Sequence, residues 1–210
     1  MKSNLLPIAK EGWLYIGYSL LAFIIFAILD LELFELLAFL FAIFFIFVFR
    51  NPERELPRFE KNSVISPVDG TVLAIDEIDD TEYAYKVTVD NSYLDVSILR
   101  SPVSGIIYSV KQENGSRLGE NSLLSEKLNE NASIVFEDVN SNKLKVSHRL
   151  KHSFNGIKID SIKSQNMLQT SRYGVMVNGV TAIYLPQNFR LNITVGNELK
   201  ASESLVGYFS

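Results

Sequence analysis

Two apolar runs stand almost back to back near the start of the chain, and any fold must bury them in lipid or in protein. Trp13 to Leu29 reads WLYIGYSLLAFIIFAIL, and Leu36 to Phe49 reads LLAFLFAIFFIFVF. The acidic stretch Asp30-Leu31-Glu32-Leu33-Phe34-Glu35 separates them. Each run falls slightly short of the roughly 20 residues that cross a bilayer. With Leu31 and Leu33 the second reaches a marginal spanning length. Both are apolar on every face rather than along one stripe, which argues against a buried soluble hairpin. No small-residue cleavage site follows the first run, which argues against a signal peptide. The pattern predicts a transmembrane helical hairpin, with helices at about 13–29 and 33–49 inside an anchor of residues 1–50.

The flanks give the expected orientation. Lys2 and Lys10 precede the first run, Arg50, Arg54, Arg58 and Lys61 follow the second, and the acidic turn holds no lysine or arginine. Positive-inside bias then puts both termini and the domain 51–210 in the cytoplasm, with the basic residues against anionic headgroups. The formal charge of −4 offers no basic field for nucleic acid. The absence of cysteine excludes disulfides and thiolate metal sites.

After Phe49 the texture changes to short alternating runs with turn signals between them. Val64-Ile65 and Thr71 to Ile75 read as a strand pair around Pro67 and Gly70. Tyr85 to Val89 and Ile106 to Val110 alternate as strands. Ser133 to Glu137 and Lys143 to Ser147 predict a hairpin about Asn140-Ser141-Asn142. Val175 to Val177 and Val180 to Leu185 flank Asn178-Gly179, the strongest short hairpin signal in the chain. Glu113 to Asn131 reads as a polar surface loop with a short helix. The expected fold class is mainly β.

One internal echo bears on the architecture. Ser66-Pro67-Val68-Asp69-Gly70 is matched by Ser101-Pro102-Val103-Ser104-Gly105. Proline entering a strand and glycine turning it are features of lipoyl-like half-motifs, and two copies predict a compact β-sandwich or barrel with two corners built alike. A lipoyl carrier would need a lysine at a hairpin tip, and Asn178-Gly179 has none.

In order and at matching distances, these landmarks resemble the short, membrane-anchored phosphatidylserine decarboxylases. Ile8-Ala9-Lys10-Glu11-Gly12-Trp13 is similar to the family's I-A-x-E-G-W, and Phe49-Arg50-Asn51-Pro52-Glu53-Arg54 to F-R-D-P-E-R. Ser66 to Gly70 resembles S-P-A-D-G. Leu94-Asp95-Val96 with Arg100 to Gly105 resembles L-D-V-H followed by R-A-P-V-S-G, and Tyr184-Leu185-Pro186 with Val195-Gly196 resembles the closing strands. The resemblance implies a chain that cuts itself at a glycine-serine step to make a pyruvoyl group. That group then draws electrons from phosphatidylserine as carbon dioxide leaves. Histidine as base and aspartate as its orienting partner complete the implied set.

Of that set only Asp69 is present. The family's histidine falls on Ser97, and its serine falls on Gly179, Val180 or a gap beside them, because the segment before Tyr184 is about one residue short. Thr181 carries a hydroxyl but reads as an ordinary strand residue with no base in view. Ser171 reads as a turn residue. His148 and His152 lie among cations in Ser147-His148-Arg149-Leu150-Lys151-His152 and read as a solvated basic face; an i, i+4 histidine pair there lacks an acidic third ligand for a metal. Asp69 can equally cap the turn before Gly70.

The expected function is therefore that of a family relative that keeps the fold and membrane position without decarboxylation. It would bind phospholipid, whether phosphatidylserine or phosphatidylethanolamine, or partner an active homologue or a second copy of itself, and it would need no cofactor. One alternative is an active decarboxylase with a displaced self-cleavage site and a self-derived pyruvoyl group. The other is a membrane scaffold with no lipid-specific role.

Overall fold

The computed structural model describes residues 6–54, 59–60, 62–119, 122 and 124–210. Arg58 and Lys61 of the basic flank, and Lys2, lie outside the described residues. The chain divides into two compact units, Met1–Glu53 and Arg54–Ser210.

In the first unit, a 3-10 turn at Lys10–Gly12 leads into α1 (Trp13–Ile28), and α2 (Glu32–Val48) follows after a short turn. Asp30 takes a positive φ of 54° there, a conformation that aspartate tolerates better than most residues. The helices pack through aromatic pairs such as Phe23–Phe39 and Phe26–Phe34, with ring centroids 6.0 and 5.5 Å apart. Ala9 N–H donates to the Phe49 carbonyl at 2.8 Å and Asn51 N–H to that of Pro7 at 2.8 Å. The I-A-K-E-G-W and F-R-N-P segments thus meet at the base of the helix pair. Of the two expected spanning helices, only one meets the length: Lys10–Ile28, 19 residues at mean hydropathy 1.7. The 17 residues of α2 rise about 25 Å, short of a hydrocarbon core of about 30 Å.

The second unit is mainly β. Its strands are β1 (Ser63–Ile65), β2 (Gly70–Glu77), β3 (Tyr85–Asn91), β4 (Ile98–Arg100), β5 (Gly105–Glu113), β6 (Asn131–Asp138) and β7 (Lys143–Leu150). β8 (Lys158–Ile159), β9 (Asn166–Met167), β10 (Arg172–Val175), β11 (Gly179–Leu185), β12 (Phe189–Leu191), β13 (Glu198–Leu199) and β14 (Leu205–Phe209) complete the set. A single helical turn, α3 (Ser125–Leu128), precedes β6. The sheets run β13-β2-β3-β11-β7-β6-β5-β9, β1-β14-β12 and β4-β10-β8. One apolar core joins all three, with Val87, Ile134, Val146 and Ile183 from the large sheet, Val64 and Val206 from the second and Leu99 and Tyr173 from the third.

This wiring is one pattern used twice. β4 to β10 forms a contiguous copy inserted between β3 and β11 of the other, which comprises β1–β3 and β11–β14. The Ser-Pro-Val echo sets the correspondence. Ser66 Oγ donates to the Val68 carbonyl at 2.7 Å and Ser101 Oγ to that of Val103 at 2.8 Å. The two turns also bond each other, Ile65 N–H to the Pro102 carbonyl and Arg100 N–H to that of Pro67. Even the bulge repeats, between Val72 and Ala74 in one copy and between Ile107 and Ser109 in the other. The centre of the pattern falls where Ile183 faces Val146.

Of three local expectations, one holds and two change. The hairpin about Asn140–Asn142 forms, with Ser141 at φ 62°. Asn178-Gly179 makes no hairpin: β10 pairs with β4 and β8, whereas β11 pairs with β3 and β7. Asn178, at φ 56°, turns the chain from one sheet into another, and its Nδ2 donates to the Lys151 carbonyl at 2.8 Å. Asn-Gly supplies the left-handed backbone that a tight turn needs, and a sheet-switching corner needs it equally. The β1 and β2 segments do not pair with each other either. β1 adds to β14, and β2 lies between β3 and β13.

Candidate functional site

Asp69 lies in the turn before β2 and is 7 % exposed. Its Oδ2 accepts from Arg54 Nη2 at 2.6 Å and its Oδ1 from the Ala201 N–H at 2.8 Å. In the other copy, Ser104 Oγ accepts from the Gln169 N–H at 2.9 Å. A side-chain cap on the facing segment is thus common to both turns. The Asp69 carbonyl accepts from Asn91 Nδ2 at 2.8 Å, and Asn91 stands opposite Gly179.

Ser97 is buried just before β4, and its carbonyl accepts from the Met176 N–H at 2.9 Å. A Cβ at Gly179 would meet Met176 Sδ and the Arg149 carbonyl, each at 2.6 Å. Asp69 and Gly179 are thus linked through Asn91, and Ser97 and Gly179 through Met176, at the corner where the chain enters β11. Near Asp69, burial and the neighbouring Arg54 lower the affinity of Arg100 for its proton, with Arg172, opposite Arg100 across β4 and β10, adding a third cation to the cluster. Ser171 is a turn residue whose carbonyl accepts from the Ser101 N–H at 2.8 Å.

A pyruvoyl group does not fit at Gly179-Val180. Neither residue has a hydroxyl, Gly179 lacks room for a side chain without displacement, and β11 is laddered on both edges through this point.

His148 corrects the sequence reading most. It is on β7, fully buried, and points away from its cationic neighbours. Its Nδ1 lies 2.8 Å from Thr181 Oγ1 and its Nε2 2.7 Å from Tyr173 OH. Burial lowers its pKa from 6.5 to about 3, so the ring is neutral near pH 7, and burial pushes the Tyr173 phenol well above 10. Thr181 therefore has a base beside it, contrary to expectation. The missed signal was alternation: His148 falls in step with Leu144, Val146 and Leu150, all buried. His152 lies beyond the strand at φ 34°, so the two histidines share no helix face, and the carbonyl of His152 accepts from the Tyr93 hydroxyl. Among the described residues no group of three or more histidines and carboxylates is placed to hold a metal.

Comparison with known proteins gives a consistent result. The profile of the family described as phosphatidylserine decarboxylase matches residues 41–207. A phosphatidylserine decarboxylase proenzyme of Desulfotalea psychrophila is 26 % identical over 212 residues, covering 96 % of each chain. One of Geobacter metallireducens is 27 % identical, covering 99 % of each. One of Ehrlichia ruminantium (strain Welgevonden) is 31 % identical over 96 % of this chain and 90 % of its own. No solved structure matches the chain significantly. With most of its length matched by the family profile and by full-length relatives, the chain belongs to the phosphatidylserine decarboxylase family.

Proposed function

We propose that this chain is a membrane-held member of the family that binds the headgroup of an amino-phospholipid without decarboxylating it. The observation that carries the reading is the entry to β11, where Gly179-Val180 offers no nucleophile and the strand is paired along both edges. Decarboxylation needs an electron sink, which the family makes by self-cleavage, and no side chain here supplies one unprocessed. The lost chemistry leaves phospholipid binding, or pairing with an active homologue, as the retained role. Intact-mass measurement tests it: the purified protein should show the full 23.7 kDa.

A second reading is favoured by one contact, that of His148 with Thr181. A displaced self-cleavage would part Val180 from Thr181 and leave a downstream fragment capped by a 2-oxobutyryl group. Against it stand the complete burial of Thr181 and its place inside the ladder, away from the water that such processing consumes. A blocked fragment beginning at Thr181 would establish this second reading in place of the first.

The membrane role extends the proposal. Both helices expose large apolar side chains along their length, from Trp13 and Leu14 to Ile46 and Phe47, far more than water tolerates on one surface. We place α1 across the bilayer and α2 returning beside it, with a small mismatch taken up by local thinning. Both termini are then cytoplasmic. Protease added to right-side-out vesicles should spare a C-terminal tag, and digestion of that tag would reverse the orientation.

A further inference from the structure

The contiguous copy of the repeated pattern carries an apolar ridge at positions that are mostly polar in the other copy. Ile106 stands opposite Asn166, and Leu168, two residues on, rises from the same face of the β5–β9 edge. Beside them the turn Ile162–Gln165 is tied to β5, with Ser164 N–H donating to the Ile107 carbonyl at 2.8 Å. Tyr108, the extra residue of the β5 bulge, lies under Lys143, whose Nζ is 3.8 Å from the ring centre. Ile162 and Leu168 are 71 % and 66 % exposed, and Ile106 and Tyr108 close to half exposed.

The repeat shows that the fold does not require apolar groups here. Thr71 stands where Ile106 stands, each next to its corner glycine. Lys200 follows Leu199, which faces Gly70, as Leu168 follows Met167, which faces Gly105. The turn Thr194–Asn197 matches Ile162–Gln165. Thr194 N–H donates to Asn197 Oδ1 at 2.8 Å, and Ile162 N–H to Gln165 Oε1 at 3.1 Å. Two threonines and a lysine serve one copy where two isoleucines and a leucine stand exposed in the other. Tyr108 alone of the four has an apolar counterpart, Leu73 at the matching bulge. Exposed apolar groups that the fold can do without mark a surface meant to be covered.

The surroundings point to what covers it. The Thr170 carbonyl, two residues past Leu168, accepts from Arg100 Nη1 at 3.3 Å, and Arg100 neighbours Arg54, where the β unit begins. Fully extended, the chain from Val48 at the end of α2 to Arg54 reaches at most about 21 Å. A bilayer holding α2 lies within that reach of the corner from which the ridge runs. Lys143 and Lys163 flank the ridge, and Glu137 stands between Lys143 and Ile106 in the ladder. Apolar tips between lysines suit an anionic headgroup layer. A second copy docked face to face would bring the same lysines to the same place.

We propose that Ile106, Tyr108, Ile162 and Leu168 dip into the headgroup layer of the bilayer, a membrane contact made by the β unit itself. The inference rests on the membrane reading above and adds which side of the β unit meets lipid.

The chain has no cysteine, so a single introduced thiol takes one label. The full chain, with a nitrobenzoxadiazole label at Ile162→Cys, Thr81→Cys or Ile24→Cys, is reconstituted in phosphatidylcholine–phosphatidylglycerol vesicles. Ile24, on α1, reports the anchor, and Thr81, in the loop at the far end of β2 from Asp69, is the aqueous control. The label at 162 should emit as in an apolar medium and be quenched several-fold by lipid bearing a doxyl group near its headgroup. The label at 24 should respond to a mid-chain doxyl group, and that at 81 to neither. Ile106→Thr with Leu168→Gln should return the 162 label to water, leaving the 24 label and the melting temperature unchanged. Quenching at 24 with the 162 label in water would overturn the ridge and keep the anchor. Labels at 24 and 162 both untouched by doxyl lipid would remove the membrane reading and the ridge with it. A 162 label that is dry yet indifferent to doxyl lipid would put protein, such as a second copy, on the ridge instead. Quenching at 162 that is matched at 81, or undiminished by the two substitutions, would equally overturn it.

Discussion

His148 Nδ1 lies 2.8 Å from Thr181 Oγ1 in the closed core, and the same positions in the other copy of the fold are apolar. Register through β3–β11 and β6–β7 makes Leu185 the counterpart of His148 and Leu144 that of Thr181. Register through β1–β14 and β4–β10 makes Val206 the counterpart of Tyr173. All three counterparts are fully buried. The wiring can therefore be built around Leu, Leu and Val, and the polar trio is a feature of one copy.

Breaking the trio piecemeal should cost more than removing it whole. His148→Leu alone strands two buried hydroxyls and should destabilise the protein by about 1–3 kcal/mol. The triple change His148→Leu, Thr181→Leu, Tyr173→Val copies the apolar counterpart, and the bulk lost at Tyr173 offsets that gained at Thr181. Thermal unfolding in detergent should place the triple variant above the single one. If the triple variant falls below it, the trio is integral to this copy.

Acid should destabilise the native protein through His148. Its folded pKa of about 3 lies below the unfolded value of 6.5, so between those values the unfolded state binds a proton that the folded state refuses. The stability from the neutral buried ring is present above pH 6.5 and is lost as pH falls towards 3, at up to about 1.4 kcal/mol per pH unit. Comparing melts at pH 7 and pH 4.5 for the native and triple-variant proteins isolates this effect. Equal acid sensitivity in both would assign it to other groups.

Asp69 is tied to Arg54 and to the Ala201 amide, so its removal should act on stability first. Asp69→Ala leaves a buried guanidinium without its close carboxylate and should cost about 3–5 kcal/mol. Asp69→Asn keeps an acceptor for one of the two bonds and should cost less. Equal melting temperatures for Asp69→Ala and the native protein would show that the pair is not holding the turn.

The two corners should fail alike. A Cβ at Gly70 would come within 2.0 Å of the Asp90 carbonyl oxygen, and one at Gly105 within 2.0 Å of that of Glu137. Gly70 also has a φ of +150°. Gly70→Ala and Gly105→Ala should both reduce folded yield severely, because backbone on the facing strand cannot step aside. Near-native yield from either would show that the corners are looser than their shared geometry indicates.

The sequence by itself determined the apolar N-terminal pair, the mainly β character of the rest and the family. Each is written in local order: continuous apolar runs, alternation, and motifs such as Ser66 to Gly70 and Tyr184-Leu185-Pro186 at set distances. It also carried the repeat of the Ser-Pro-Val turns, although not the nesting of one copy inside the other. Only the tertiary structure decided which strands pair across that nesting. Asn178-Gly179 specifies a turn, whereas the partners of β10 and β11 are chosen by contacts far away in the chain. The same holds for His148. Its neighbours in sequence are cations, and it faces Thr181 and Tyr173 because strand pleating sends alternate residues to opposite faces. The row of Thr88, Ala182, Ser147 and Ser133 has the same origin, since it exists only once four strands have fixed their register.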